Sequence, residues 1–309
     1  MGTPEFAVPT LQLLLERDDI EIVAVITATD KPGGRGRNQL LESAVKKVAR
    51  QHNLVVIQPK NLKATEFVER YHNLEADLAV VVAFRMLPEV IWSAPKHGTI
   101  NLHASLLPAY RGAAPINWAI INGEKETGLT TFKIAKEIDT GGIIFQSRMR
   151  IKEEDTAGTL HDRMMYEGAH LVSKTVDAIK EGTVQYIAQD DDRATKAPKI
   201  FTEDCQIDPS NQVRQIYDFV RGLSPYPGAW IIIDHSTVKI YKCEYNLIDH
   251  HYQMGSLISD NKNFLKLYGK DGYLKINELQ MQGKKRMDIK SFLNGFDVAR
   301  SQDVDLEIG

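Results

Sequence analysis

Residues 76–105, ADLAVVVAFRMLPEVIWSAPKHGTINLHAS, contain two apolar runs separated by a helical pattern. The first run, ADLAVVVAF, is continuously apolar rather than alternating, which is typical of a strand buried on both faces of a parallel sheet. The helical pattern LPEVIWSAP follows it, and TINLHAS continues as another strand. This order of elements predicts an α/β fold.

Similar segments lie on both sides of this stretch. Towards the N-terminus, the strand-like runs EIVAVIT and LVVIQP alternate with the helical patterns SAVKKVARQH and ATEFVERYHN. Towards the C-terminus follow the helical AAPINWAIIN, the strand GLTTFKI and a long helical pattern that opens at Thr156 and closes at Gly182. Residues 1–187 therefore predict a Rossmann-like α/β domain with a mostly parallel sheet.

The start of the chain departs from this pattern. GTPEF followed by the helical VPTLQLLLERD is typical of a strand-to-helix loop, yet only Met1 precedes it. A doubly wound sheet normally has its first strand at this point. We expect either that the sequence starts late or that this sheet lacks one strand.

The sequence pattern changes after Tyr186. Residues 188–207 are polar, charged and proline-containing, which predicts a linker. Beyond it, the pattern indicates one helix, NQVRQIYDFVRG, and the strand-like runs WIIID, TVKIYKCEY, NFLKLYG and YLKINELQ. Asp271 and Gly272 form a hairpin signal between the last two runs. Residues 208–309 therefore predict a small OB-like β-barrel domain.

Composition excludes several classes of protein. The net charge of −3 argues against a surface that binds phosphate throughout, so nucleic-acid contact would need a local basic patch. Two cysteines, Cys205 and Cys243, are too few for a four-ligand zinc site, and we interpret them as reduced thiols. No apolar run reaches about 18 residues, and the start does not resemble a secretory signal. We expect a cytoplasmic protein without a membrane span.

Three polar residues form a candidate catalytic group. Asn101 and His103 are two residues apart on one strand, so their side chains share a face of the sheet. At the carboxyl end of a parallel strand, that face opens onto the crevice where α/β proteins bind ligands. An amide can stabilise a developing oxyanion, an imidazole can exchange a proton, and Asp139 could orient the imidazole. Taken singly, a histidine on a strand is usually structural, and an aspartate before Gly-Gly is usually a turn residue.

The motifs around these residues resemble a known family. NLHASLLPAYRGAAPINWAI together with IDTGGI is similar to the 10-formyltetrahydrofolate-dependent formyltransferases. The resemblance extends through MGTPEFAV, DKPGGRGR, VVVAFRMLPE and GLSPYPGAW, and so covers nearly the whole chain. The SLLPxYRG signature is specific to this folate-dependent superfamily.

The resemblance implies a role for each residue of the candidate group. Asn101 would hydrogen-bond the formyl oxygen, His103 would stabilise the tetrahedral intermediate and shuttle its proton, and Asp139 would pair with His103 and a water. The donor would be 10-formyltetrahydrofolate, the product tetrahydrofolate, and no metal would be required. The segment that contacts the folate would be Ser105, Leu106, Leu107 and Pro108. The pterin pocket would be lined by the backbone near Phe84, Arg85, Met86 and Leu87.

The prediction of the formyl acceptor depends on a basic, glycine-rich loop. DKPGGRGR contains Lys31, Arg35 and Arg37, and resembles the loop with which one branch of the family contacts methionyl-initiator tRNA. A solvated surface loop is the plain alternative for such a charge run. We expect formylation of initiator methionyl-tRNA, in support of translation initiation, by a monomer. The alternatives are a sugar-nucleotide N-formyltransferase, a formyltetrahydrofolate hydrolase, and a folate-binding or RNA-binding protein without catalysis.

Overall fold

The computed structural model describes residues 1–33 and 39–298. In chain order, the strands are β1 (Val25–Ile26), β2 (Lys31–Gly33), β3 (Gln39–Leu41), β4 (Val56–Ile57), β5 (Ala79–Val82), β6 (Thr99–His103), β7 (Arg111–Gly112), β8 (Glu126–Lys133), β9 (Ile143–Arg150), β10 (Lys196–Ala197), β11 (Ala229–Ile233), β12 (Ser236–Leu247), β13 (Leu257–Ser259), β14 (Leu265–Tyr268), β15 (Gly272–Met281) and β16 (Met287–Asp288). The α-helices are α1 (Val8–Leu15), α2 (Ala44–Gln51), α3 (Thr65–His72), α4 (Glu89–Trp92), α5 (Pro115–Ile121), α6 (Ala157–Lys180), α7 (Val213–Leu223) and α8 (Ile289–Leu293). Short 3-10 helices lie at Glu5–Ala7, Asp191–Arg193 and Glu203–Cys205.

The chain divides into two compact units. The first contains Met1–Gly112, Glu126–Arg150 and His161–Ala197. The second contains Ala113–Lys125, Ile151–Leu160 and Pro198–Gly309. Two stretches before residue 187 therefore belong to the second unit, and α5, which lies in the first of them, packs on α7. The domain boundaries at residues 187 and 208 remain predictions.

The first unit is built on a sheet whose centre is parallel. β5 and β6 pair in parallel, with Val81 beside Asn101. β8 and β9 extend the sheet from β6 as antiparallel strands, and β1 pairs with β4 in parallel. Apolar side chains from the sheet and from α3 and α4 form one core, which includes Phe67, Val81 and Ile91. The predicted Rossmann-like α/β fold is confirmed.

Met1 and Gly2 occupy the sheet position that the sequence pattern assigns to a first strand. Gly2 pairs in parallel with Val82, and its N–H donates to the Ile26 carbonyl at 3.1 Å. The Val82 N–H in turn donates to the Met1 carbonyl at 2.9 Å. These two residues therefore connect the β1–β4 pair to β5 through backbone hydrogen bonds.

The second unit contains a curled antiparallel sheet with the strand order β11-β12-β15-β14-β13, and β16 pairs with β15. The hairpin between β14 and β15 turns at the predicted Asp271-Gly272 site, where Tyr268 pairs with Tyr273. α7 packs closely on α5 at Gly222, where an added Cβ would lie only 2.6 Å from Cγ1 of Ile121. The predicted OB-like domain is confirmed.

None of the helices in the described part of the chain is both long and apolar enough to cross a membrane.

Candidate active site

Asn101 and His103 lie at the carboxyl end of β6, as the strand pattern predicts. Their neighbour β5 ends at the same edge, because Val82 pairs with Leu102. The segment after β5 therefore starts beside His103. On the other side, the antiparallel β8 places Phe132 next to Asn101 and Thr130 next to His103. This edge of the sheet therefore places Thr130 of β8 beside the polar residues of β6.

The imidazole of His103 is held in one orientation by the backbone. Its side chain is only 7% exposed, and its Nε2 lies 2.8 Å from the carbonyl oxygen of Tyr110. A carbonyl oxygen can only accept a hydrogen bond, so Nε2 carries a proton. Nδ1 is therefore the ring nitrogen that can gain and lose a proton in a reaction.

Asp139 reaches His103 from the loop between β8 and β9. Its Oδ2 lies 3.7 Å from Nδ1 of His103 and accepts a hydrogen bond from the Gly112 N–H at 2.9 Å. The carboxylate is also largely shielded from solvent, with 12% of the side chain exposed. At 3.7 Å the contact is too long for a hydrogen bond, yet close enough to stabilise an imidazolium.

Asn101 differs from His103 because none of the described residues is hydrogen-bonded to its side-chain amide. The residue is half-buried on the same face of β6, and no side-chain hydrogen bond joins it to any residue the structure describes. A half-buried amide without an internal partner is available to donate to a ligand oxygen. The structure thus brings Asn101, His103 and Asp139 to one region of the first unit.

The segment from Ser105 to Pro108 is held mainly by hydrogen bonds inside the protein. The Ser105 hydroxyl is fully buried and donates to the Ala109 carbonyl at 2.6 Å. Leu107 packs against Phe132 in a small apolar cluster. Leu106 and Pro108 are half-buried. Contacts from this segment to a ligand would therefore come from Leu106 and Pro108 rather than from the Ser105 hydroxyl.

The residues after β5 divide between surface and core. The Arg85 guanidinium donates to the carbonyl of Lys60 at 3.0 Å and also to that of Pro59, so it anchors the neighbouring loop. Met86 is 70% exposed, whereas Leu87 is buried in the core of the first unit. Phe84 is half-buried. Only part of the segment Phe84–Leu87 is thus open to a ligand.

The basic loop is described only at its edges. Lys31 is exposed at the start of β2, which pairs with β3 in a short hairpin. Arg35 and Arg37 lie outside the described residues.

Two residues that position the Ser105–Pro108 segment carry no signal in the sequence. The fully buried Thr130 hydroxyl accepts from the Leu107 N–H at 3.1 Å and donates to the Ser105 carbonyl at 2.7 Å. The Gln146 amide donates to the Leu107 carbonyl at 2.9 Å and to Thr130 Oγ1 at 3.0 Å. Both residues sit in ordinary strand sequences, so only the pairing of β6, β8 and β9 makes them neighbours of this segment.

Comparison with known proteins identifies the class to which this fold and site belong. Residues 1–176 match the family described as formyl transferase, and residues 199–297 match the formyl transferase C-terminal domain. The chain belongs to the formyltransferase family.

Its relatives include proteins named methionyl-tRNA formyltransferase. The protein of this name from Parabacteroides distasonis is 50% identical over 306 residues, which cover 96% of this chain and 94% of that protein. Those from Bacteroides fragilis and Flavobacterium johnsoniae are 48% and 47% identical, with the same coverage of both chains.

Solved structures share the fold at low sequence identity. WlaRD, a sugar 3N-formyl transferase, is 22% identical with a TM-score of 0.67, covering 92% of this chain and 97% of that one. HypX from Aquifex aeolicus, solved in complex with tetrahydrofolic acid, is 17% identical with a TM-score of 0.59, covering 79% of this chain and 43% of that one.

Proposed function

We propose that this protein transfers the formyl group of 10-formyltetrahydrofolate to the α-amino group of initiator methionyl-tRNA, and so supports translation initiation. The observation that carries the proposal is identity of 47–50% over nearly the full length to proteins named methionyl-tRNA formyltransferase. The arrangement of Asn101, His103 and Asp139 suits this reaction, because acyl transfer needs an oxyanion donor and a proton acceptor at one place.

Asn101 stabilises the charge that develops on the formyl oxygen. The folate supplies the formyl carbon as the electrophile, and the amine nitrogen forms the new C–N bond. As this bond forms, the oxygen gains negative charge, and the free amide of Asn101 donates a hydrogen bond to it. One such donor is typically worth about 3–4 kcal/mol in the transition state.

His103 moves the proton. Because Nε2 is bonded to the Tyr110 carbonyl, Nδ1 accepts the proton of the attacking amine and then delivers it to N10 as the bond from N10 to the formyl carbon breaks. The products are the formamide and tetrahydrofolate. Proton transfer of this kind contributes roughly a hundredfold to ten-thousandfold to a rate. Asp139, 3.7 Å from Nδ1, stabilises the imidazolium while it holds that proton.

The folate would lie along the edge where β5 and β6 end. Leu106 and Pro108 are half-buried there and Met86 is exposed, so apolar surface is available beside the polar groups. A site with apolar walls and a few placed polar groups suits a flat heterocycle. Ser105 and Leu107 would shape this surface from behind, through the Thr130 hydrogen bonds.

The residues that support the identity of the acceptor differ from those that support the reaction. The loop that includes Lys31, Arg35 and Arg37 carries three cations without an apolar anchor, which suits contact with phosphates of an RNA acceptor stem. A sugar-nucleotide acceptor is the second candidate, because the fold is shared with a sugar formyl transferase. Action as a monomer in the cytoplasm is part of the same proposal.

Parallel formyl-transfer assays distinguish the acceptors. The protein is incubated with formyl-labelled 10-formyltetrahydrofolate and either methionylated initiator tRNA, a dTDP-linked amino sugar, or buffer alone. We expect label on the methionyl-tRNA and little free formate. Labelled sugar without labelled tRNA would overturn the proposed acceptor, and formate release in buffer alone would indicate a hydrolase. The His103→Ala variant is the control for label transfer that does not depend on the site.

A further inference from the structure

The side chain of Gln189 makes four hydrogen bonds, two with the loop of Asp139 and two with Arg111 of β7, and so links the loop to the strand. Its Nε2 donates to the backbone carbonyls of Asp139 and Gly141, each at 2.8 Å. Its Oε1 accepts from Nε and Nη2 of Arg111, at 3.1 and 2.8 Å. The residue lies in the polar segment that the sequence predicts to be a linker, so its composition indicates no such role.

Only a carboxamide satisfies both sides of this arrangement. The two carbonyls of the Asp139 loop need donors, whereas the Arg111 guanidinium needs an acceptor. A glutamate at position 189 could still accept from Arg111 but could not donate to the carbonyls. The amide group of Gln189 is therefore matched to its four partners at both ends.

β7 also binds the Asp139 carboxylate directly. Gly112, which follows Arg111 in β7, donates its N–H to Oδ2 of Asp139 at 2.9 Å. The backbone of the Asp139 loop is thus tied to Arg111 through Gln189, and the Asp139 carboxylate is bonded directly to the adjacent Gly112. Arg111 is itself held, because its N–H donates to the Thr195 carbonyl at 2.9 Å and its Nη2 to Asp191 at 2.7 Å.

The conformation of Asp139 makes such support necessary. Its φ of +55° lies in the left-handed region, which residues with a side chain rarely adopt. A conformation of this kind persists only where the surroundings hold it. A displacement of about 1 Å at Asp139 would change its distance to Nδ1 of His103 appreciably, and misplacement on this scale can cost a hundredfold in rate.

We propose that Gln189 is a positioning residue for formyl transfer, which bridges Arg111 and the Asp139 loop so that the Asp139 carboxylate stays against His103. This inference rests on the roles of His103 and Asp139 under the proposed function. Gln189 does not contact the reacting atoms and acts only through Asp139.

The test compares Gln189→Glu and Gln189→Leu with the matched control Asp191→Asn. Gln189→Glu keeps the contact with Arg111 and removes both donors to the loop, whereas Asp191→Asn weakens the outer contact of Arg111, at a side chain that is 79% exposed. We expect both Gln189 variants to lower kcat roughly tenfold to a hundredfold with KM for the folate within about threefold. Asp191→Asn should change kcat less than about threefold.

A double-mutant cycle with Asp139→Asn separates positioning from general stability. If Gln189 acts through Asp139, Gln189→Glu should have little further effect on kcat once Asp139 is Asn. Multiplicative losses in the double variant, or an unchanged kcat in Gln189→Glu, would overturn the inference while leaving the proposed function intact. No folate-dependent turnover in the unmodified protein would overturn both. Thermal unfolding of each variant checks that it is folded.

Discussion

Nδ1 of His103 lies 3.7 Å from Oδ2 of Asp139, although one residue ends a central strand and the other belongs to the loop between β8 and β9. The opposite ring nitrogen is bonded to the Tyr110 carbonyl. The imidazole therefore presents one nitrogen to a carboxylate and to any ligand at the sheet edge. This relationship explains why a histidine on a strand serves here as more than a structural residue under the proposed function.

Truncation of Asn101 or His103 should remove most of the activity. Asn101→Ala loses the oxyanion donor, so we expect kcat to fall about a hundredfold to a thousandfold. His103→Ala loses the proton acceptor, and we expect a fall of roughly a hundredfold to ten-thousandfold. Steady-state kinetics measures kcat, and fluorescence titration with tetrahydrofolate should show binding within about threefold of the unmodified protein. A variant that keeps near-normal kcat would contradict the assignment.

Thr130→Val should weaken folate binding more than it weakens chemistry. The hydroxyl is the acceptor for the Leu107 N–H and for the Gln146 amide, so its loss leaves buried donors unpaired, at a cost of about 1–3 kcal/mol. We expect KM for the folate to rise about fivefold or more, because the Ser105–Pro108 segment loses its support.

Thr131→Val is the matched control for this substitution. Thr131 is equally buried, but its hydroxyl faces Thr175 on α6 at 2.7 Å. We expect urea unfolding to show a loss of stability for both variants, and a raised KM only for Thr130→Val. An equal rise in KM in both would indicate a general effect of destabilisation.

Gly112→Ala should impair both stability and turnover. Gly112 has a φ of +128°, and a Cβ there would lie 2.5 Å from the Ala197 carbonyl oxygen. The strain and the clash should cost about 2 kcal/mol or more and displace the N–H that binds Asp139. Gly182 follows the end of α6 with a φ of +68° and has open space around it, so Gly182→Ala should cost only about 1 kcal/mol. Urea unfolding and kcat of both variants measure the difference, and equal kcat in the two would contradict it.

Both cysteines should be unreactive in the folded protein. Burial raises the pKa of the Cys205 thiol to about 11 and that of the Cys243 thiol to about 12. Both thiols therefore stay protonated at pH 8, and they are unreactive because the thiolate is the reactive form. We expect Ellman's reagent to release no thionitrobenzoate from the native protein within minutes, and two equivalents per chain in denaturant. Rapid reaction of the native protein would show that at least one thiol is accessible.

Local sequence determines much of the fold. The continuous apolar run before β6 can be buried on both faces only in a sheet covered by helices, so it indicates the α/β class by itself. The alternation in the strand also places Asn101 and His103 on one face, because the strand period is two residues. The Asp271-Gly272 pair similarly indicates a hairpin between two strands before any tertiary contact is known.

Only the tertiary structure decides how the candidate site is held together. Gln189 meets the Asp139 loop through hydrogen bonds across a long sequence separation, and Thr130 meets the Ser105–Pro108 segment through strand pairing. Neither contact has a local period or a composition that would reveal it, since hydrogen-bond partners are chosen by distance in space. For the same reason α5 packs with the second unit, although its sequence is only that of an ordinary amphipathic helix. Residue type and spacing thus specify the elements and the reactive groups, whereas the orientation of those groups depends on contacts that exist only after folding.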